Sequence, residues 1–265
     1  MASRMFAPGD SGLGAKADEL IDLFRIRHVA DKPAGSLSYG QQKLVDIAMA
    51  FMSEPALVLL DEPLANLDYK LREELRAELP KIFAETGAIF VYATTEPSEA
   101  LLLGGNTATL SEGAITQFGP TVEVFRRPAD LITAKTFSDP PLNTISAIKR
   151  GGGFTLSGGA EIPVPAGMAG LDDGDLILGF RPHHLSPREN GGIGMPLAAT
   201  VSVTEITGSD SFVHLAHGGD RWVMLTNGIH DIAPGTSMTV YLDTRHLLAF
   251  RKDGTNAASP QKLAA

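Results

Sequence analysis

The chain has 265 residues, 43% hydrophobic and 20% charged, a balance that buries a core and excludes a wholly disordered chain. It has no cysteine, which excludes disulfides, thiolate metal sites and a cysteine nucleophile, and its net charge of −9 argues against a nucleic-acid binder that works by bulk electrostatics. The opening MASRMFAPGD lacks the apolar core of a signal peptide, and no apolar run nears the roughly 20 residues of a spanning helix, so the expectation is a soluble intracellular protein whose membrane role would come through a partner.

In chain order, Lys16–Phe24 reads as a short helix with Leu20, Ile21 and Phe24 on one face. Gln41–Met52 reads as a helix with Leu44, Ile47, Ala48 and Phe51 at helical spacing, stopped by Pro55. Ala56–Leu60 is a continuous apolar run of strand length, as expected of a strand buried on both faces. Tyr69–Glu85 reads as a charged amphipathic helix kinked at Pro80, and Ala88–Ala93 as a second buried strand. Two such strands joined by a helix predict a βαβ unit and a parallel sheet. Pro97–Leu103 reads as a helix, and 106–110 with 114–118 as a hairpin around Glu112-Gly113.

The pattern changes near Pro140-Pro141. Residues 1–140 hold 13 Lys/Arg and 20 Asp/Glu; residues 141–265 hold 9 and 11, and six of the seven histidines. Short alternating strands punctuated by glycine follow, so the expected order is an α/β domain over 1–138, a β-rich domain over 139–252 and a frayed tail over 253–265.

Three motifs carry chemistry. Leu37-Ser38-Tyr39-Gly40-Gln41 opens the first long helix, and Ser38 with Gln41 three residues on is a capping box. The remaining N–H groups at that helix tip favour an anion such as a phosphate, and Gly40 lets backbone approach a ligand closely. Alone, the motif reads first as an ordinary helix cap, because capping boxes are common. Next, Leu57–Leu60 runs into Asp61-Glu62-Pro63, which places two carboxylates at the C-terminal end of a strand, where open α/β sheets bind ligands. That pair suits a magnesium ion at Asp61 and a water activated by Glu62, or simply two exposed acids in a turn. Third, Ala65-Asn66-Leu67-Asp68 follows at once and reads as a turn with an N-cap aspartate.

Together and in this order the three resemble the signature, Walker B and D-loop of the nucleotide-binding subunits of ATP-binding cassette (ABC) transporters, and more narrowly those of carbohydrate importers of the maltose and glycerol-3-phosphate type. The resemblance continues through LREELRAELPKIF, VYATTEPSEALLLGG and FGPTVEVFRRPAD into GFRPHHL and VTEITGSDSFVHL, which resemble that family's OB-type (TOBE) regulatory domain. It implies a partial P-loop NTPase sheet followed by a β-rich OB-type domain, in a peripheral protein on the cytoplasmic face of the membrane. Its partners would be a second nucleotide-binding subunit, as a homodimer, and transmembrane permease subunits, with no nucleic acid. The ligands it implies are ATP and Mg²⁺. Ser38, Gly40 and Gln41 would contact the γ-phosphate of ATP bound across the dimer. Asp61 would hold Mg²⁺ through water, Glu62 would be the general base, and Asn66 and Asp68 would link the two sites.

Some positions depart from the family. No GxxxxGK[ST] occurs, and the nearest string, Gly9–Ala17, has its lysine one place late, no hydroxyl at Ala17 and no strand before it, so it reads as a chance match. MASRM resembles an internal stretch of the family's helical subdomain, and the expectation is a chain that starts late, grips ATP poorly alone and exposes apolar sheet surface. Tyr39 replaces the first glycine of the signature. Thr95, within Tyr92-Ala93-Thr94-Thr95-Glu96, stands where the family has its switch histidine; its hydroxyl can bond a phosphate but carries no charge. The leading alternative is a non-catalytic partner that supplies only the signature half of a composite ATP site. An OB-fold ligand binder and a soluble ABC ATPase of the repair or translation kind are the remaining readings. His183-His184, read as adjacent residues on a strand pointing to opposite faces, and His214 and His217, with no acidic pattern beside them in sequence, carry no metal site on this reading.

Overall fold

The computed structural model describes residues 11–189, 192 and 194–260, and the chain divides into two compact units between Leu103 and Gly104. The stretch 104–138, grouped with the first domain from its sequence, clusters with the second unit. MASRM, Gly9 and Asp10 lie outside the described residues.

The first unit contains α1 (Ser11–Leu23), α2 (Tyr39–Phe51), β1 (Leu57–Asp61), α3 (Tyr69–Thr86), β2 (Ile89–Ala93) and α4 (Pro97–Leu103). Helix α1 begins five residues before the expected start, so Ser11–Ala17 of the glycine-rich string are helical. Helix α2 buries Leu44, Ile47, Ala48 and Phe51, the face its periodicity predicts. Helix α3 runs through Pro80 and ends at Gly87, whose φ of 65° terminates the helix at no steric cost. The parallel pairing of β1 and β2 runs from Leu57 opposite Ile89 to Asp61 opposite Ala93. Val58, Leu60, Phe90 and Tyr92 join a core with Leu44, Ile47, Leu75, Leu79 and Ile82, where Phe90 stacks on Phe83 with centroids 3.8 Å apart.

One expectation fails here. The two strands are not buried on both faces: Leu57, Leu59, Ile89 and Val91 are 55, 65, 65 and 44% exposed. An apolar run of five fits a sheet covered on one side or two, and the described helices cover only one.

The second unit opens with the hairpin β3 (Asn106–Ser111) and β4 (Ala114–Pro120). Glu112 and Gly113 have φ of 50° and 77°, the pair of left-handed residues a two-residue hairpin turn needs. Helices α5 (Thr121–Arg126) and α6 (Leu131–Thr136) follow. Next in sequence come β5 (Asn143–Arg150), β6 (Gly153–Leu156), β7 (Glu161–Pro163), β8 (Gly174–Phe180), β9 (Leu185–Ser186), β10 (Gly194–Ile206), β11 (Asp210–His217), β12 (Asp220–Asn227), β13 (Ser237–Asp243), β14 (Leu248–Phe250) and β15 (Asn256–Ala258). They form two antiparallel sheets, ordered β15-β14-β8-β5-β6-β7 and β12-β11-β10-β13-β9. Phe154, Leu178, Phe180, Leu197, Val213, Trp222, Met224 and Val240 fill one core, with Phe180 edge-on to Trp222 at 5.2 Å. The Asn143 side chain bonds both backbone groups of Val223, at 2.8 and 2.7 Å, and ties the sheets together as a strand neighbour would.

Part of the stretch read as a tail is a strand, with β15 pairing to β14. His183 and His184 sit in a 3-10 turn rather than on a strand, with their rings 4.3 Å apart. His214 Nε2 lies 3.1 Å from Glu205 Oε1, an acid that β10 supplies from across the sheet. No helix among the described residues is long and apolar enough to cross a membrane.

Candidate functional site

All eight residues singled out from the sequence lie in the first unit. Ser38 caps α2: its Oγ accepts from the Gln41 N–H at 3.3 Å, and Gln41 Oε1 accepts from the Ser38 N–H at 3.0 Å. This reciprocal pair fixes the helix tip and leaves its other N–H groups facing outward. Gly40 also has a packing reason, beyond the one expected. A Cβ there would fall 1.7 Å from Leu71 Cδ2 and 3.3 Å from Leu67 Cδ2, so the glycine lets α2 press against the start of α3. Tyr39 turns its ring to solvent.

Lys43, which sequence reasoning missed, joins the motifs. Its Nζ donates to the carbonyls of Glu62, Pro63 and Ala65 at 3.2, 3.1 and 3.1 Å, using all three ammonium protons, and sits 5.5 Å over the Tyr39 ring. The signature helix is thereby held to the turn that follows the acid pair. A lysine one turn from the cap, on a helix whose neighbours face a core, is the one signal the sequence offers.

Asp61 and Glu62 stand where β1 ends. The Asp61 carboxylate is exposed and has no hydrogen-bond or ion-pair partner among the described residues. Glu62 takes a left-handed backbone, φ 45°, and its N–H bonds the Ala93 carbonyl at 3.0 Å. Its Oε1 accepts from the Thr95 N–H at 2.9 Å. The structure therefore brings together two residues 33 apart in sequence, through the backbone of Thr95 and not its side chain, which stays exposed. Asn66 is left-handed at φ 61° and exposed, and Asp68 Oδ1 caps α3 through the Leu71 N–H at 3.0 Å. No contact joins Asn66 or Asp68 to the carboxylate of Asp61 or Glu62.

A buried polar cluster behind this loop was also missed. Glu99, 4% exposed, accepts from Tyr92 Oη at 2.9 Å and Thr94 Oγ1 at 2.7 Å, and Arg76 lies 3.6 Å from its other oxygen. Arg72 and Arg76 pair with Glu96 at 3.0 and 2.5 Å. Burial first, and the neighbouring Glu99 carboxylate second, push the Tyr92 hydroxyl far above the usual phenol range. Burial opposes the charge on Arg76, but Glu73, Glu96 and Glu99 outweigh it and hold its pKa above the ordinary value. In sequence, the clue is an acid in the first turn of an otherwise uncharged α4.

No group of three His, Cys, Asp or Glu among the described residues could cage a metal. The donor set fits one role only, a single hard carboxylate, Asp61, reaching a cation that other ligands hold as well.

Residues 8–65 match the family model "ABC transporter", and residues 178–250 match "TOBE domain". The first match includes the capped helix tip and the acid pair and stops short of Asn66, Asp68 and Thr95. The chain is 34% identical over 212 residues to the sulfoquinovosyl glycerol transport ATP-binding protein SmoE of Agrobacterium fabrum, covering 78% of this chain and 59% of that protein. It is 35% identical over 202 residues to the sn-glycerol-3-phosphate import ATP-binding protein UgpC of Ruegeria pomeroyi (76% and 55%) and 32% identical over 240 residues to that of a Ruegeria species (90% and 66%). It spans slightly more than half to just under two thirds of the length of these relatives. The acid pair ending a parallel strand and the capped helix beside it thus lie in a segment that matches the ABC transporter family, upstream of a segment that matches the TOBE domain, and the chain is similar to transport and import ATP-binding proteins.

Proposed function

We propose that this chain serves as an ATP-binding and ATP-hydrolysing subunit of an importer for a sugar or related solute. The observation that carries the reading is the Thr95 N–H held on Glu62 Oε1 at the end of β1, beside a helix tip that Lys43 locks to the same turn. With Oε1 engaged, Oε2 of Glu62 is the atom that takes the proton of the attacking water. Ser38 presents its hydroxyl, Gly40 its backbone N–H and Gln41 its side-chain NH2 to the γ-phosphate of a nucleotide bound across a pair of such subunits, the Ser38 and Gln41 backbone N–H groups being taken up by the cap. Asp61 holds Mg²⁺ through water, and the Thr95 hydroxyl donates to the γ-phosphate without adding charge. When bound, Mg²⁺ offsets charge on the β- and γ-phosphate oxygens. Asn66 and Asp68 face the neighbouring site.

In this reading residues 1–138 serve the nucleotide and 139–252 form the regulatory OB-type domain. The partners are a second nucleotide-binding subunit and transmembrane permease subunits, and the protein works at the cytoplasmic face of the membrane. The names of the similar proteins, which are transport and import ATP-binding proteins, support the solute class.

The test is ATP turnover in a complete complex reconstituted with permease subunits. Glu62→Gln is expected to lower kcat about 100-fold or more while ATP still binds. Turnover unchanged by Glu62→Gln would overturn the catalytic reading and leave a subunit that contributes only its signature tip.

A further inference from the structure

We propose that Thr94 is a positioning residue: its hydroxyl, fixed by the buried Glu99 carboxylate, sets the 94–96 turn that aims the Thr95 N–H at Glu62. The proposal rests on the role given to Glu62 above and adds how that carboxylate is held.

Thr94 Oγ1 lies 2.7 Å from Glu99 Oε2 and 3.0 Å from the Glu96 nitrogen. A carboxylate accepts and an amide donates, so the hydroxyl proton goes to Glu99 and an oxygen lone pair takes the Glu96 N–H. Rotation about the Thr94 side chain breaks at least one of these bonds. Glu99 is a fixed acceptor because it is buried and approached from three sides, by the Tyr92 hydroxyl, the Thr94 hydroxyl and the Arg76 guanidinium.

The neighbours of Thr95 are fixed on both sides. Ala93 is held by the β1–β2 ladder and accepts from the Glu62 N–H. Glu96 is held at its amide by Thr94 and at its carboxylate by Arg72 and Arg76. Thr95 between them has one hydrogen bond, from its N–H to Glu62 Oε1, and its side chain is exposed. The Thr95 side chain therefore cannot orient Glu62; the turn does, and Thr94 closes the turn. Valine at 94 keeps the branched shape and strand preference and removes both bonds, while serine keeps both.

The experiment reads hydrogen exchange at the Thr95 and Glu96 amides by NMR in the purified 265-residue chain, without nucleotide. Thr94→Val is expected to speed exchange at both amides by at least about tenfold, and Thr94→Ser to stay within about threefold of wild type. Glu62→Ala is expected to speed Thr95 and leave Glu96 unchanged. Protected amides at Ile47 and Leu79 certify that the unit is folded; if valine unfolds it, Thr94→Ala carries the same expectation. Wild-type exchange at Thr95 in the valine variant overturns the proposal. So does equal acceleration by serine and valine, which would assign the effect to packing. Because no nucleotide is present, the result decides the positioning claim even if the complete complex hydrolyses nothing, an outcome that would count only against the proposed function. In a hydrolysing complex, Thr94→Val lowers kcat with KM unchanged, and Thr94→Ser restores it.

Discussion

The two units solve the same problem to different degrees. The second closes two antiparallel sheets over one core, and Phe154, Phe180 and Trp222 are fully buried there. The first covers one face of a two-stranded parallel sheet and leaves Leu57, Leu59, Ile89 and Val91 in water. A closed core draws its stability from burial. The half-covered sheet draws more of its order from polar ties, namely Lys43 on three carbonyls and the Glu99–Thr94–Tyr92 cluster. The residues assigned to chemistry lie in the less covered unit, in keeping with a general tendency of functional loops to be drawn from less stable regions.

The largest effect should come from the closed core. Phe180→Ala removes a ring packed edge-on against Trp222 and is expected to cost about 3–5 kcal/mol, read as an earlier urea midpoint in the fluorescence of Trp222, the chain's one tryptophan. A loss below about 1 kcal/mol would mean that this core is looser than its burial indicates.

Acid should act on the same unit. Burial, then His183, His246 and Arg181 nearby, depress His184 to about 3 from 6.5, against a smaller opposing pull from Asp243. The unfolded chain binds the proton first, so the stability that neutral His184 contributes is present above pH 6.5 and is lost as pH falls toward about 3. Denaturation curves between pH 7 and 4 should be flatter for His184→Gln than for wild type.

In the first unit, Lys43→Met leaves three carbonyls short of a donor and is expected to cost roughly 1–3 kcal/mol, measured by urea titration followed by circular dichroism. The smallest change in stability should come from the open face. Leu59→Lys with Ile89→Lys should move stability by no more than about 0.5 kcal/mol while lowering the binding of an apolar dye and raising solubility. A large loss would show that these side chains are packed after all.

Local features were legible in the sequence. The Ser38–Gln41 box, the α2 core face, the Glu112-Gly113 turn and the Asp68 cap depend on residues a few positions apart, and each formed as read. Long-range features were not. Leu57–Leu60 looks the same whether one or two layers cover it, because composition records apolarity and not what lies opposite. Gly40 was read for a ligand, and its close neighbour is Leu71, 31 residues away. The Glu62–Thr95 bond runs through a backbone N–H, which every residue but proline carries, so no residue type could announce it. Lys43 and Glu99 were overlooked because an isolated charge on a helix usually means a solvated face.

Glu62 sits at a backbone angle where glycine would rest unstrained and a longer side chain does not. The fold alone would be better served by glycine there, since any Cβ carries the same penalty. If the proposed role of Glu62 holds, Glu62→Gly should raise the urea midpoint of this unit while abolishing turnover, an exchange of activity for stability at a single backbone angle.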